Sequence, residues 1–177
     1  MSNFKGELFV DVGANVGFYS IMMSKNYKNV VAFEPEPSNM EELRKNIRIC
    51  SVNNILCIQK AVSNNNGTIQ LNLSDHMGGH SILGRSNNNI TVNTCSLTSF
   101  FEKDINIDLI KVDVEGAEWM VLEGSEKIID KIISWLIELH DIKRKKELEE
   151  WFISRGYSIY WLLLRKHEAF IYAWKNN

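Results

Sequence analysis

Asp11, Glu34, Asp113, Glu115 and His140 each stand at or just past the end of a short apolar run. That placement brings scattered polar groups to one edge of a parallel sheet. The first run, Leu8-Phe9-Val10, leads into Asp11-Val12-Gly13-Ala14-Asn15-Val16-Gly17. A short apolar, partly β-branched stretch reads as a buried parallel strand. Gly13 and Gly17 bracket a tight turn where a ligand can approach the backbone. A helix predicted from Val16 to about Lys25 aims its first amides at the occupant. Such a loop suits a nucleotide cofactor. The diphosphate fingerprint is Gly-x-Gly-x-x-Gly, and here Asn15 takes the middle position. A carboxylate at Asp11 repels a pyrophosphate and favours a ligand with a positive end, such as the ammonium and sulfonium of S-adenosylmethionine (SAM). The same carboxylate can equally cap the loop by accepting backbone amides.

The second strand, Asn29 to Phe33, ends at Glu34-Pro35. An acid closing that strand about twenty residues beyond the first glycine chelates the ribose hydroxyls of an adenosine. NAD sites use the same device, so Glu34 supports adenosine without choosing the cofactor. Pro37-Ser38-Asn39-Met40-Glu41 reads as a Ser-x-x-Glu capping box, opening a helix with Met40, Leu43, Ile47 and Cys50 on one face.

Alternation of strands and helices continues along the chain, as a parallel sheet with crossover helices requires. Ile55 to Val62 is the third strand. Asn64-Asn65-Asn66-Gly67 turns into a half-exposed strand, Thr68 to Leu73. A polar stretch, Ser74 to Asn89, precedes Ile90 to Ser96, so a small β insertion replaces the third crossover. Ile107 to Val114 is the fourth parallel strand. Ala117 to Glu123 is a short helix closed by Gly124, and Trp135 to Leu139 the fifth strand. Lys143 to Arg155 is an amphipathic helix with Leu148, Trp151 and Phe152 inward and Gly156 as its stop. Tyr157 to Leu164 and Glu168 to Trp174 are joined too tightly for a crossover and form an antiparallel hairpin.

The segments DVGANVGFYS, VVAFEPEPSNMEELRKNI, KAVSNNNGTIQL and IDLIKVDVEGAEWMVLEGSE resemble the FkbM family of SAM-dependent methyltransferases, over Leu8 to about His140. The resemblance implies a Rossmann-like class I methyltransferase fold: a mostly parallel seven-stranded sheet with a C-terminal antiparallel hairpin. It also implies SAM as cofactor, S-adenosylhomocysteine (SAH) as product, and methyl transfer to a hydroxyl of a sugar, polyketide or related metabolite. It places Asp113 beside the methionine part of the cofactor. Two features depart from the family: Leu97-Thr98-Ser99 stands where Leu-Asp-Asp is frequent, and little sequence precedes the first strand, which leaves the acceptor pocket less enclosed or completed by a partner.

The cofactor set expected on these grounds is Asp11, Gly13, Ala14, Asn15, Gly17, Glu34, Pro35, Ala61, Val62 and Asp113, with Ala61 and Val62 lining the adenine. The catalytic set is Asp113, Glu115 and His140. His140 is the first choice of base because imidazole titrates near neutrality, and Asp113 competes for that role. Alternation points Asp113 and Glu115 to one side, although Glu115 can instead cap the following helix, where Glu118 is helix surface or cap. No metal site is assigned; a divalent cation on Asp113, Glu138 or His140 is an option and not the expectation. His76 and His80 flank Met77-Gly78-Gly79, which breaks a helical metal pair and suits a lid over the acceptor. His167 is turn surface.

Composition sets the outer bounds. A chain with 45% hydrophobic content and net charge −2 holds one sizeable core, read as a single domain over residues 1–177, and lacks the basic field of a duplex-binding protein. Lys143 to Lys146 lead into Glu147, Glu149 and Glu150, an ion-paired helix face. No signal peptide or membrane-spanning run is visible. Cys50, Cys57 and Cys95 lack metal or disulfide spacing. A cytoplasmic protein is expected, of unspecified oligomeric state. The competing functions are a nicotinamide-dependent oxidoreductase and a non-catalytic SAM-binding module.

Overall fold

A computed structural model describes residues 5–73, 88–101, 105–166 and 168–175. The strands are β1 (Gly6–Val12), β2 (Tyr27–Phe33), β3 (Ile55–Ile58), β4 (Ala61–Val62), β5 (Gly67–Asn72), β6 (Asn89–Cys95), β7 (Leu109–Val112), β8 (Ser134–Leu139), β9 (Tyr157–Leu164) and β10 (Ala169–Lys175). The α-helices are α1 (Phe18–Met23), α2 (Pro37–Ile49), α3 (Leu97–Phe100), α4 (Glu118–Glu123) and α5 (Lys145–Ile153). Two 3₁₀ turns, Glu126–Lys131 and Ile142–Arg144, complete the framework.

Seven strands form one sheet in the order β3-β2-β1-β7-β8-β10-β9. Neighbours from β3 to β8 pair in parallel, and β10 runs antiparallel to both β8 and β9. This is the expected mostly parallel α/β sheet with its C-terminal hairpin. Val10 and Val12 on β1 and Ile110 and Val112 on β7 are buried against Trp135, Phe152 and Tyr157 in the main core. Trp135 is fully buried, its ring edge-on to Trp151 and Phe152 at centroid separations of 6.4 and 6.0 Å.

The insertion after β3 is a second sheet, β4-β6-β5. The continuous third strand expected over Ile55–Val62 is broken at Gln59-Lys60: β3 stays in the large sheet, while Ala61 and Val62 pair with Thr94 and Cys95. Ala61, Leu71 and Val92 form a small apolar cluster there. Ser96 ends β6 and caps α3 by accepting the amide of Ser99, a helical turn not anticipated at Leu97-Thr98-Ser99.

Several boundaries differ for local reasons. The expected capping box at Ser38 is replaced by Glu36, which occupies the N-cap and accepts the amides of Ser38 and Asn39 at 3.0 and 2.6 Å. Pro37 at the first helical position fixes that start. Met40 and Leu43 are buried, but Cys50 lies past the end of α2 and is exposed. The segment expected as one helix over Lys143–Arg155 begins as the 3₁₀ turn Ile142–Arg144. Its ion pairs, Arg144–Glu147, Lys145–Glu149 and Lys146–Glu150, are those of a solvated face. Gly156 takes φ +80° just past α5, the left-handed stop.

Gly124 has a different reason to be glycine. Its φ of −67° is right-handed, so no left-handed cap demands it. A Cβ there would lie 2.1 Å from the Ser63 carbonyl oxygen, where α4 abuts the end of β4. Gly124→Ala is expected to destabilise the chain by about 1–3 kcal/mol, read as a lower urea midpoint with unchanged slope. The stretch Ser74–Asn89, with His76, His80 and the lid reading, falls mostly outside the described residues, as does His167.

Candidate active site

The carboxyl ends of β1, β2, β4 and β7 meet at an open cleft. Gly13, Asn15, Glu34, Pro35, Ala61, Val62, Asp113 and Glu115 line it, together with Asn39, Lys60 and Leu71. The structure thus gathers residues from separate parts of the sequence around one space.

The glycine loop is shaped by its neighbours. The amides of Gly13 and Ala14 both donate to the Phe33 carbonyl, at 3.0 and 2.9 Å. Gly13 has φ +80°, and a Cβ on it would lie 1.8 Å from the Asp113 carbonyl oxygen. Asn15 is left-handed at φ 49°, and its amide donates to Glu34 Oε2 at 2.8 Å. Glu34 Oε1 accepts the Glu36 amide at 3.0 Å. Burial pushes the Glu34 pKa up, against the pull of these two amides. A carboxylate so placed, at the end of β2, can exchange these amides for a pair of hydroxyls. Ala14 and Gly17 stand behind the loop, Ala14 packed with Ala32, Met40 and Leu43 and Gly17 with a Cβ position 2.2 Å from Leu43 Cδ1.

Asp11 lies beneath the loop and not in the cleft wall. It is fully buried, with Oδ2 accepting from Ser20 Oγ at 2.6 Å. Lys111 Nζ sits 3.4 Å from Asp11 Oδ1 and 3.3 Å from Asp113 Oδ2, and donates to the Gly13 carbonyl at 3.1 Å. Burial opposes the charge on Lys111, but the two carboxylates outweigh it and hold the ammonium above the ordinary lysine range. The counter-charge of Asp11 is therefore this lysine. The direct welcome to a cationic ligand that the sequence suggested at Asp11 has no route through the structure. Asp113, at the rim, is the exposed end of the triad.

A second cluster adjoins Asp113. Glu115 is left-handed at φ 52°, so strand alternation, which ends with β7 at Val112, does not set its direction. Its carboxylate nevertheless approaches His140, with Oε2 3.4 Å from Nε2. His140 Nδ1–H donates to Glu118 Oε1 at 2.7 Å. Of the two expected roles, helix surface or cap, Glu118 is not surface: it is fully buried at the start of α4 and accepts the Gly116 amide at 2.9 Å. Glu138 Oε1 lies 3.8 Å from His140 Nε2. Burial opposes the imidazolium, yet the hydrogen bond and charge of Glu118, with Glu115 and Asp113, raise its pKa to about 9. Burial, reinforced by Asp113 and opposed by His140, raises Glu138 to about 7. At neutral pH the ligand-free His140 already carries its proton, so acceptor capacity resides in the carboxylates around it. Trp119, beside Glu118, lies under the Arg144 guanidinium, 3.9 Å from the ring centroid, and its indole N–H has no partner among the described residues.

Residues 11–159 match the model of the methyltransferase FkbM domain. The chain belongs to the FkbM methyltransferase family. The crystal structure of methyltransferase FkbM from Methylobacillus flagellatus KT superimposes with a TM-score of 0.72 at 17% identity, over 97% of this chain and 44% of that one. The hexuronic acid methyltransferase AglP of Haloferax volcanii is 24% identical over 169 residues, covering 94% of this chain and 70% of AglP. TrmK of M. capricolum, solved with SAH, shares the fold at a TM-score of 0.61 and 16% identity, over 99% of this chain and 65% of TrmK. The chain spans 60 to 70% of the length of the curated relatives it matches. Among the described residues, no helix of this FkbM-family chain is long and apolar enough to cross a membrane.

Sequence reasoning missed Lys111, Asn39, Lys60 and Leu71 and left Glu118 between surface and cap. The signal for Lys111 was present: a lone cation inside the apolar run Leu109-Ile110-Lys111-Val112 demands a buried counter-charge.

Proposed function

We propose that this chain is a SAM-dependent O-methyltransferase whose acceptor is a hydroxyl on a sugar or a related small molecule. The observation that carries the reading is the cleft itself. An acid closes the second strand beside a glycine loop, and a carboxylate–imidazole cluster lies at the opposite rim. The SAH bound to TrmK and the hexuronic acid named for AglP support the cofactor and acceptor class.

In this reading Glu34 holds the ribose, Ala61, Val62 and Leu71 flank the adenine, and the loop from Gly13 to Asn15 meets the methionine portion near Asp113. The sulfonium is already activated, so the protein mainly aligns an acceptor oxygen with the S–CH₃ bond. Such positioning lowers barriers by roughly 7–11 kcal/mol in favourable cases. The O–CH₃ bond forms as the S–CH₃ bond breaks, its electron pair stays on sulfur to give SAH, and the hydroxyl proton passes to the Asp113–Glu115 carboxylates. His140, fixed by Glu118, orients that pair and offsets its charge.

SAH at about 100 times its Kd is expected to raise Tm by roughly 5–10 °C, with no shift from NAD and none from SAH in Glu34→Ala. Label transfer from methyl-labelled SAM to a hexuronic acid tests the acceptor. A Tm shift with NAD but not SAH would sink the cofactor reading. SAH binding without transfer to any hydroxyl acceptor would leave a non-catalytic module.

A further inference from the structure

We propose that Asp113, Glu115 and His140 form a binding site for a divalent cation of the Mg²⁺/Mn²⁺ class, whose remaining coordination positions take two adjacent oxygens of the acceptor. One donor atom from each of these residues lies within 4.8 Å of the other two. Ligands about 2.0–2.3 Å from a six-coordinate ion stand about 3–4.6 Å apart, so the grouping has the right span without moving the backbone.

The imidazole supplies an independent observation. A metal-bound histidine nearly always donates its other ring N–H to a carboxylate, which fixes its tautomer and direction. His140 has that arrangement: Nδ1 is bonded to Glu118 Oε1 at 2.7 Å, leaving Nε2, which gives up its proton to solvent when an ion binds, aimed at Glu115 and Glu138. Glu118 is buried behind the ring, its side chain 1% exposed, and its Oε2 has no hydrogen-bond partner among the described residues. Two carboxylates and one imidazole select a hard or borderline ion. Asp113 and Glu115 also line the cofactor cleft, so the ion lies where an acceptor meets the methyl group. A cation there binds neighbouring oxygens, as in a vicinal diol or an α-hydroxycarboxylate, and acidifies the bound hydroxyl; with Asp113 and Glu115 on the ion, the hydroxyl proton passes to Glu138, the carboxylate left beside His140. This narrows the acceptor class and rests on the O-methyltransferase reading.

The test is titration of the full chain with Mn²⁺, following loss of the free-ion EPR signal, alongside the SAH melting experiment. One Mn²⁺ per chain is expected. Glu115→Gln and His140→Ala should each weaken it at least 10-fold, and Glu118→Gln, which touches no ion, by about 10–100-fold. Glu115 is a third exposed, so its variant folds, and far-UV circular dichroism checks the others. Mn²⁺ binding that is absent, or unchanged in Glu115→Gln and His140→Ala, overturns the site. A normal SAH shift in the same samples would show that the methyltransferase reading survives that failure.

Discussion

Lys111→Met is expected to cost about 3–5 kcal/mol of stability, the range for removing one partner of a buried ion pair. That is a large part of the 5–15 kcal/mol typical of a folded domain. The reason lies on the other side of the pair: Asp11 is fully buried, and its Oδ1 has no hydrogen bond, only the ammonium 3.4 Å away. Methionine fills the volume but leaves that carboxylate without a counter-charge. Combining Asp11→Asn with Lys111→Met should recover part of the loss, because a neutral amide pays a far smaller desolvation cost. The pH dependence has a definite sign. Burial already holds the Asp11 pKa above its ordinary 3.8 against the pull of Lys111, so removing the lysine raises the folded-state value further. Such a group favours folding below the unfolded value and disfavours it as pH rises through the folded one. The deficit against wild type should therefore shrink as pH falls toward 4, and urea denaturation across that interval measures it. A deficit that grows on acidification would show that Lys111 is not the compensating charge.

Gly13→Ala should weaken cofactor binding by more than any other single change at the loop. The added methyl would sit 1.8 Å from the Asp113 carbonyl oxygen, a backbone atom that cannot rotate away, at φ +80°. Relief requires the loop to lift from β7, and the amides of Gly13 and Ala14 then lose the Phe33 carbonyl. Overpacking and left-handed strain together are worth about 2–5 kcal/mol. If half of that falls on the bound state, SAH affinity drops by roughly 5- to 70-fold, which cuts the Tm shift at 100 times the wild-type Kd to between about two thirds and a fifth of its wild-type size. An undiminished shift would mean that the cofactor does not rest on this turn.

Much of the architecture could be read from the chain because it is written in local pattern. The β1 apolar run, the acid at Glu34 and the tight link between β9 and β10 each follow from spacing and strand character. The errors arise where a distant partner decides. Asp11 looked like a ligand-facing acid because Lys111, its register partner on β7, is a hundred residues away. Glu118 was left as helix surface or cap because nothing near it announces that His140 will pack on it. Glu115 does share a side with Asp113, as expected, but reaches it through a left-handed residue past the end of the strand rather than by alternation. The strand over Ile55–Val62 was read as one because both pieces are apolar, while the break at Gln59-Lys60 is set by pairing to β6. Glu36 displaced Ser38 as the cap because Pro37 had already fixed where α2 begins.

The placement of Trp119 gives the molecule an optical consequence. Its indole is adjacent in sequence to the carboxylate that steers His140 and lies under the Arg144 guanidinium, so movement of Glu118 changes the electric field across the ring. Trp135, sealed among aromatic neighbours, senses only loss of the whole core. Of the five tryptophans, Trp119 thus reports on the rim and Trp135 on melting, once variants that replace the other three isolate them.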